Sequence, residues 1–273
     1  MPWRSHREQG RLNYIDIAPW RLLIVLALVL VTSLVVSRRA RLQLEKELVV
    51  GIFRGALQLL AVGYVLVVLF AAQRAAWVFL MLSVMLGVGA WTSAHRVESG
   101  PPLRILLPRA LLAIFVGSVA ALLPVFAFVI QPDPIFDGRT IIPISGMIVA
   151  NAMNVVAQVN ERIFANAKAE RTEIEQWLAL GATPKQALEK YVRNALRSAL
   201  IPTINGLLTV GLVSLPGMMT GQIMSGIAPE HAIRYQLVIM YQLVVVAAVS
   251  GAVSAWLARR TLFNAQGQLQ LFG

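Results

Sequence analysis

Apolar residues recur along the chain in runs of about twenty, and short polar segments separate the runs. A helix of about twenty apolar residues crosses the ~30 Å hydrocarbon core of a bilayer. The pattern therefore predicts an all-α polytopic membrane protein that forms a single transmembrane domain over residues 1–273, with about seven transmembrane helices. The predicted spans are residues 17–37, 48–72, 76–94, 110–130, 141–165, 198–216 and 232–258.

A long polar stretch, residues 166–197, interrupts this pattern between the fifth and sixth predicted spans. Thr172 and Glu175 have the spacing of a capping box, which predicts that a short helix begins there. Gly181 predicts the end of that helix, because a residue without Cβ adopts the left-handed conformation easily. The segment 183–186, Thr-Pro-Lys-Gln, has the pattern of a second helix start.

Both predicted helices of this stretch, which we call the elbow, have an apolar face with helical spacing. The face of the first helix comprises Ile174, Trp177, Leu178 and Gly181, and that of the second comprises Ala187, Leu188, Tyr191, Val192, Ala195 and Leu196. Lys185, Glu189 and Arg193 are spaced to pair at i, i+4 on the opposite face of the second helix. An amphipathic elbow outside the bilayer favours docking of a partner protein rather than enzyme chemistry.

Charge and cysteine content refine this interpretation. The chain has a formal net charge of +11, and most of its Lys and Arg residues lie in the loops on the side of the elbow. The positive-inside rule then places the elbow in the cytoplasm, with the N-terminus outside and the C-terminus inside. The same residues meet anionic membrane lipids, so the charge does not indicate nucleic-acid binding. No cysteine is present, which excludes disulfides and thiolate metal ligands, and we expect no cleaved signal peptide.

Polar side chains inside the predicted spans are candidates for a substrate pathway. Asn151, Asn154 and Gln158 recur at i, i+3 and i+7, so their amides share one face of the fifth span. This polar stripe is either the wall of a pathway or a set of hydrogen bonds between helices. Arg54 either contacts substrate or extends to the membrane surface. The full candidate set is Arg54, Gln58, Asn151, Asn154, Gln158, Asn205 and Gln222.

The segment LPGMMTGQIMSG, residues 215–226, is predicted to close the outer end of the pathway. Pro216 and Gly217 are expected to end the sixth span there. The methionines that follow, which are Met218, Met219 and Met224, are expected to narrow the exit. Thioether sulfur is also a ligand for soft metals, although methionine more often fills gaps in packing. The sequence thus leaves any metal site unknown.

Two absences bear on energy supply. The sequence contains no G-x-x-x-x-G-K-[ST] loop for binding ATP phosphates, and no predicted span has Asp or Glu at its centre. We therefore expect no catalytic residues and no cofactor bound by this chain. A carrier driven by protons or sodium usually needs such a carboxylate, so the pattern favours energy coupling through a separate subunit.

The elbow resembles the coupling loop of ABC transporter permeases, which inserts into a cleft of the ATP-binding subunit. Glu175 and Gly181 keep the spacing of the importer signature, but Arg193-Asn194 stands where importers commonly have Leu-Pro. The residues that the resemblance assigns to coupling are Glu175, Trp177, Leu178, Gly181, Ala182, Thr183 and Pro184.

Residues 143–263 resemble the iron-export family of ABC permeases (FetB-type), which has plant relatives linked to aluminium tolerance. The similar segments are ISGMIVANAMN, the elbow, LVSLPGMMTGQIMSG, Tyr235-Gln236 and LFN. The resemblance implies a multi-pass protein of the inner (plasma) membrane, a permease homodimer with two ATP-binding subunits that hold ATP and Mg²⁺, and iron export that serves metal homeostasis and oxidative-stress resistance. The alternatives are an ABC permease for a non-metal solute such as a nucleotide sugar, and an ATPase-independent secondary transporter.

Overall fold

A computed structural model describes residues 18–41, 43, 45–72, 74–132, 136–264 and 266–272. The N-terminal start of the first predicted span, residue 17, lies outside the described residues. The helices are α1 Pro19–Arg39, α2 Glu45–Ala72, α3 Ala75–His95, α4 Leu103–Pro124, α5 Gly138–Ala169, α6 Arg171–Ala179, α7 Pro184–Thr209, α8 Gly217–Met224 and α9 Pro229–Leu262. The chain divides into two compact units, residues 1–71 and 72–273, which are described separately.

In the first unit, α1 and α2 carry apolar side chains on their exposed surfaces. Glu45 and Glu47 lie in the first turn of α2, where acidic side chains stabilise the positive end of the helix dipole. The Ser37 hydroxyl at the end of α1 donates a hydrogen bond of 3.0 Å to Glu45 Oε1. Farther along α2, Leu59 and Tyr64 are exposed. Apolar residues around the whole helix are typical of contact with lipid.

In the second unit, α5 is the central helix and packs against α3, α4, α7 and α9. It begins where Asp137 accepts hydrogen bonds from the backbone amides of Arg139 and Thr140, which would otherwise lack partners at a helix start. Its buried side chains, such as Ile148, Val156 and Ile163, belong to one core that also includes α3, α4, α7 and α9. Because α5 is buried on several sides, its packing also positions α6, which follows its C-terminal end.

Small residues let α4 and α9 approach closely. A Cβ atom placed on Gly117 of α4 would lie 2.7 Å from Cβ and 3.0 Å from the backbone nitrogen of Ser250 in α9. Gly251 also allows a close contact, since a Cβ atom placed on it would lie 3.2 Å from side-chain atoms of Leu196 and Val155. Close backbone approach at small residues is a common way for helices to pack in membranes.

The helical ladder of α4 continues in a π-helical turn, Val125–Ile130, directly after Pro124. Proline has no N–H to donate and its ring crowds the preceding turn, so the hydrogen-bond register changes there. Gln131 then ends the segment with a φ of 41°, in the left-handed region.

The sixth predicted span differs from the structure at both ends. The second helix of the elbow and this span form one helix, α7, which runs from Pro184 to Thr209. The prediction that Pro216 and Gly217 end the span was wrong, since α7 ends seven residues before Pro216. Proline suits the start of a helix better than its interior, and Pro216 accordingly precedes the short helix α8.

Among the described residues, five helical segments are long and apolar enough to cross a membrane. They are Glu45–Ala71, Ala75–His95, Leu103–Ile130, Gly138–Ala169 and Pro229–Leu262. The protein is therefore an all-α polytopic membrane protein. α1 and α7 are helical where the first and sixth spans were predicted, and the number of seven spans and their orientation stay predictions.

After α9 the chain folds back as a C-terminal tail, residues 263–272. Phe263 and Leu269 form an antiparallel bridge, and the ring of Phe272 meets that of Phe164 edge-on at 6.4 Å between centroids. A Cβ atom placed on Gly267 would lie 3.8 Å from Cγ of Pro184. The tail therefore contacts both the end of α5 and the start of α7.

Candidate functional site

The first helix of the elbow, α6, is anchored to the core by its apolar face. Only Glu170 separates α6 from α5. Ile174 is fully buried in the core, and Leu178 packs against the same cluster. Trp177, which was predicted to share that face, is instead half exposed. The helix therefore has a fixed inner side and a free outer side.

The predicted capping box at Thr172 was wrong. α6 begins at Arg171, so Thr172 is already inside the helix, and no side chain caps its start. The Glu175 carboxylate instead accepts a hydrogen bond of 2.7 Å from Nε of Arg171, one turn earlier. An i, i+4 pair of opposite charge stabilises an exposed helix modestly.

The end of α6 confirms the predicted role of Gly181 in the turn. Its φ is 89°, in the left-handed region that residues with a Cβ avoid. The Gly181 amide donates to Leu178 O and the Ala182 amide donates to Trp177 O, each at 3.0 Å. These two bonds are those of a Schellman motif, which satisfies the last carbonyls of a helix. The turn between α6 and α7 is thereby fixed.

The second helix of the elbow starts at the predicted capping box. The Thr183 hydroxyl accepts from the Gln186 amide, and the Gln186 side chain accepts from the Thr183 amide at 2.9 Å. Its inner face is buried as predicted, with Ala187, Leu188 and Ala195 in the core. Lys185, Glu189 and Arg193 are exposed, and the ion pairs found among the described residues involve other side chains.

A polar contact joins α6 to α7 across the elbow. The Tyr191 hydroxyl donates a hydrogen bond of 2.7 Å to Glu173 Oε2, and Lys190 Nζ lies 3.2 Å from Glu173 Oε1. The hydroxyl and then the ammonium lower the pKa of Glu173 below its usual range. Burial, followed by the same carboxylate, raises the pKa of Tyr191. Glu173 therefore stays ionised and holds the two helices together.

The outer side of the turn exposes two large apolar residues. Leu180 is 82% exposed and Trp177 is 51% exposed. Together with Gly181, Ala182 and Gln186 they line a surface concavity of about 430 Å³. Exposed apolar groups beside a concavity, with polar residues around them, are typical of a docking surface. Sequence patterns missed Leu180, because it lies outside the helical spacing of the predicted face.

The three residues of the polar stripe lie on one face of α5, but their contacts and exposure differ. The Asn151 amide donates a hydrogen bond of 2.9 Å to Leu243 O of α9, and its oxygen accepts one of 3.2 Å from the Thr203 hydroxyl of α7. Asn151 thus joins three helices. Asn154 is exposed and Gln158 is half-buried.

The other pathway candidates are spread over three helices. Arg54 and Gln58 lie on α2, in the first unit, and both are exposed. Asn205 is exposed on α7. Gln222 is half-buried on α8, and its Oε1 atom is buried without a hydrogen-bond partner. Whether these side chains meet substrate stays a prediction.

The methionines of the predicted outer gate lie on α8. Met218 and Met219 are half-buried and Met224 is exposed, while α8 packs against α9. Among the described residues, no group of three or more His, Cys, Asp and Glu side chains is placed to hold a metal ion.

Two polar contacts, one buried and one part-buried, connect α9 to its neighbours and were not predicted. The Ser254 hydroxyl donates a hydrogen bond of 2.9 Å to Asn160 Oδ1, and both residues are buried. Arg109 of α4 donates to the Thr261 hydroxyl. The only sequence signal for these contacts is the presence of polar residues inside apolar helices.

Comparison with known proteins gives consistent matches over nearly the whole chain. Residues 19–263 match the sequence profile described as uncharacterised protein family UPF0014. The chain is 35% identical over 248 residues to the "Probable iron export permease protein FetB" of Escherichia coli K12, covering 90% of this chain and 93% of that protein. It is 36% identical over 241 residues to "UPF0014 membrane protein STAR2" of rice, covering 88% and 82%.

A further relative is "Protein ALUMINUM SENSITIVE 3" of Arabidopsis thaliana, which is 35% identical over 242 residues, covering 89% of this chain and 86% of that protein. No solved structure matches the chain. The extent of the profile match and these identities show that the chain belongs to the UPF0014 family of membrane proteins, which includes a relative named as an iron export permease.

Proposed function

We propose that this chain is the membrane-spanning permease subunit of an ABC transporter that exports iron, with ATP and Mg²⁺ bound and ATP hydrolysed by a separate subunit. The observation that carries the proposal is the elbow tip, which exposes Trp177 and Leu180 on a turn fixed by the Schellman motif. A rigid apolar protrusion matches helix-in-groove recognition by a partner protein. The substrate, iron, is taken from the name of the E. coli relative.

The inner side of the elbow supports this role. Ile174 and Leu188 are fully buried in the core that contains α5, so a force on the tip acts directly on the transmembrane helices. Two permease copies and two ATP-binding subunits would give each elbow one partner. The complex would lie in the inner (plasma) membrane.

A pull-down of the ATP-binding subunit by the permease tests the docking site. Leu180→Asp removes an exposed apolar group without touching the core, and burial of a leucine side chain stabilises a complex by about 1.5–3 kcal/mol. We expect recovery of the ATP-binding subunit to fall at least about tenfold. Glu189→Ala, on the exposed side of α7, is the matched control and should bind normally. Equal recovery with both variants would refute docking at this tip.

Transport by inverted membrane vesicles tests the substrate. Because their cytoplasmic face is outside, vesicles with both subunits should accumulate labelled iron when ATP is added, and Leu180→Asp should abolish that uptake. If the ATP-binding subunit is recovered normally but iron is not taken up, the proposal of an ABC permease would stand and iron would not be its substrate.

A further inference from the structure

A second cavity, to which no elbow residue contributes, lies between α3, α4 and α5. It has a volume of about 480 Å³, within the range of sites for small molecules. Its lining is apolar except for three serines, and no lining residue is charged. Four phenylalanines contribute to it, which are Phe79, Phe115, Phe126 and Phe136. The lining therefore suits a neutral, ring-containing molecule.

Two of the three serines have no hydrogen-bond partner. Ser118 is 4% exposed and Ser145 is fully buried, and neither hydroxyl oxygen is bonded in the described structure. A serine hydroxyl in a helix usually donates to a carbonyl of the preceding turn, as Ser83 does to Phe79 O at 2.8 Å. A buried hydroxyl without a partner is unfavourable, so a molecule in the cavity whose acceptor atoms reach these two groups gains hydrogen bonds that the protein itself does not make.

The cavity continues as a groove along α3 and α4. A neighbouring concavity of about 620 Å³ shares Ser83, Leu86 and Phe115 with it and extends to Pro108 and Leu112. This groove is also uncharged. The two spaces together fit a ring with a long apolar tail.

The depth of Ser118 distinguishes between classes of lipid, whereas Ser145 lies only seven residues after Gly138, nearer the start of its candidate span. Ser118 lies fifteen residues after Leu103 and twelve before Ile130, near the middle of that candidate span. The ester carbonyls of phospholipids lie at the membrane interface, outside the ~30 Å hydrocarbon core. A carbonyl that reaches Ser118 therefore belongs to a molecule dissolved in the core of the bilayer.

We propose that this cavity binds a quinone-type molecule, with ring carbonyls that accept hydrogen bonds from Ser118 and Ser145 and an apolar tail in the α3–α4 groove. None of its lining residues is a pathway candidate or belongs to the elbow. Binding requires no chemistry by the protein.

Binding of decylubiquinone to the detergent-purified protein tests the proposal, with bound ligand extracted and quantified after equilibrium gel filtration. The double variant Ser118→Ala/Ser145→Ala should bind it at least about fivefold more weakly, because two hydrogen bonds are lost. Its thermal stability without ligand should not fall, since the hydroxyls it removes have no partner. Ser93→Ala, which removes a buried hydroxyl bonded within α3 to Ala90 O and does not line the cavity or the groove, should bind within about twofold of the parent.

Decylbenzene, which has a ring and tail but no carbonyl, is the comparison ligand that tests whether the carbonyls contribute to binding. It should bind the parent more weakly than decylubiquinone does and should not distinguish the parent from the double variant. Unchanged decylubiquinone binding by the double variant would overturn the proposal, and so would displacement of that probe by phospholipid. Because the chain has no cysteine, Phe115→Cys gives a third check, and disulfide formation between two copies in native membranes would assign this face to a protein interface instead.

Discussion

Replacement of Asn151 tests whether the polar stripe holds the helices together. Asn151→Leu keeps a similar size but removes one hydrogen bond to Leu243 O and one from Thr203. Hydrogen bonds between membrane helices contribute about 0.6 kcal/mol on average and up to about 1.7 kcal/mol. Two such bonds predict a loss of about 1–3 kcal/mol in the free energy of unfolding.

Reversible unfolding in bicelles measures this loss, and Asn154→Leu is the matched control. Asn154 lies one turn away on the same helix and is exposed, so its replacement should change stability by less than about 0.5 kcal/mol. The coupling energy between Asn151→Leu and Thr203→Ala should be about 0.6 kcal/mol.

Cysteine labelling separates the structural role from a pathway role. If the exposed side of α5 at Asn154 faces a water-filled pathway, a water-soluble thiol reagent should label Asn154→Cys faster than Asn151→Cys, whose position is half-buried. Equal stability of the two leucine variants, together with equal labelling rates, would refute the assignment of Asn151 as a contact between helices.

Three further changes test packing, the gate and the elbow. Gly117→Ala should destabilise the protein by about 1–3 kcal/mol in the same unfolding assay, because the new Cβ meets the backbone of Ser250, whereas Gly206→Ala, with open space around it, should not. In the proposed transporter, leucine at all three methionines of α8 should leave transport nearly intact if they only pack, since this swap conserves volume, and loss of metal-stimulated ATPase activity of the complex in a folded variant would indicate thioether ligands. Tyr191→Phe should lower the melting temperature at neutral pH. Because the pKa of Glu173 is lowered, its contact with Tyr191 stabilises the fold above the ordinary carboxyl pKa, and this stabilisation is lost as pH falls through the lowered value. The difference in melting temperature between variant and parent should therefore shrink in acid. A difference that stays constant with pH would contradict the contact.

Hydrophobic periodicity predicted the helical class and the inner faces of the elbow, because burial in a helix requires a repeat that is visible in the sequence. It did not predict the continuity of α7. The composition changes from polar to apolar near Ser198, and Pro202 cannot donate the usual backbone hydrogen bond to the Ser198 carbonyl, yet one helix continues from Pro184 to Thr209. The start of α6 was also misplaced. The spacing of Thr172 and Glu175 predicted a start at Thr172, but the helix begins at Arg171, immediately after Glu170.

The contacts of individual polar residues were beyond the sequence. Asn151 and Asn154 are the same residue type on the same face, yet only the first meets α7 and α9. Ser118 and Ser145 look like ordinary serines of apolar helices, and only the packing around them shows that their hydroxyls lack partners. These distinctions depend on the relative positions of helices that are distant in the chain.

The continuity of α7 joins the second helix of the elbow and the sixth predicted span in one helix. Thr203, where α7 is hydrogen-bonded to Asn151, lies nineteen residues from Pro184 at the tip, a distance of roughly 29 Å at 1.5 Å per residue. Pro202, which interrupts the backbone hydrogen bonding of α7, lies directly before Thr203, and a straight helix that pivots there would move its Pro184 end by about 5 Å for each 10° of tilt. In the proposed complex, a displacement of that size at the elbow would tilt α7 by about 10° about its contact with Asn151.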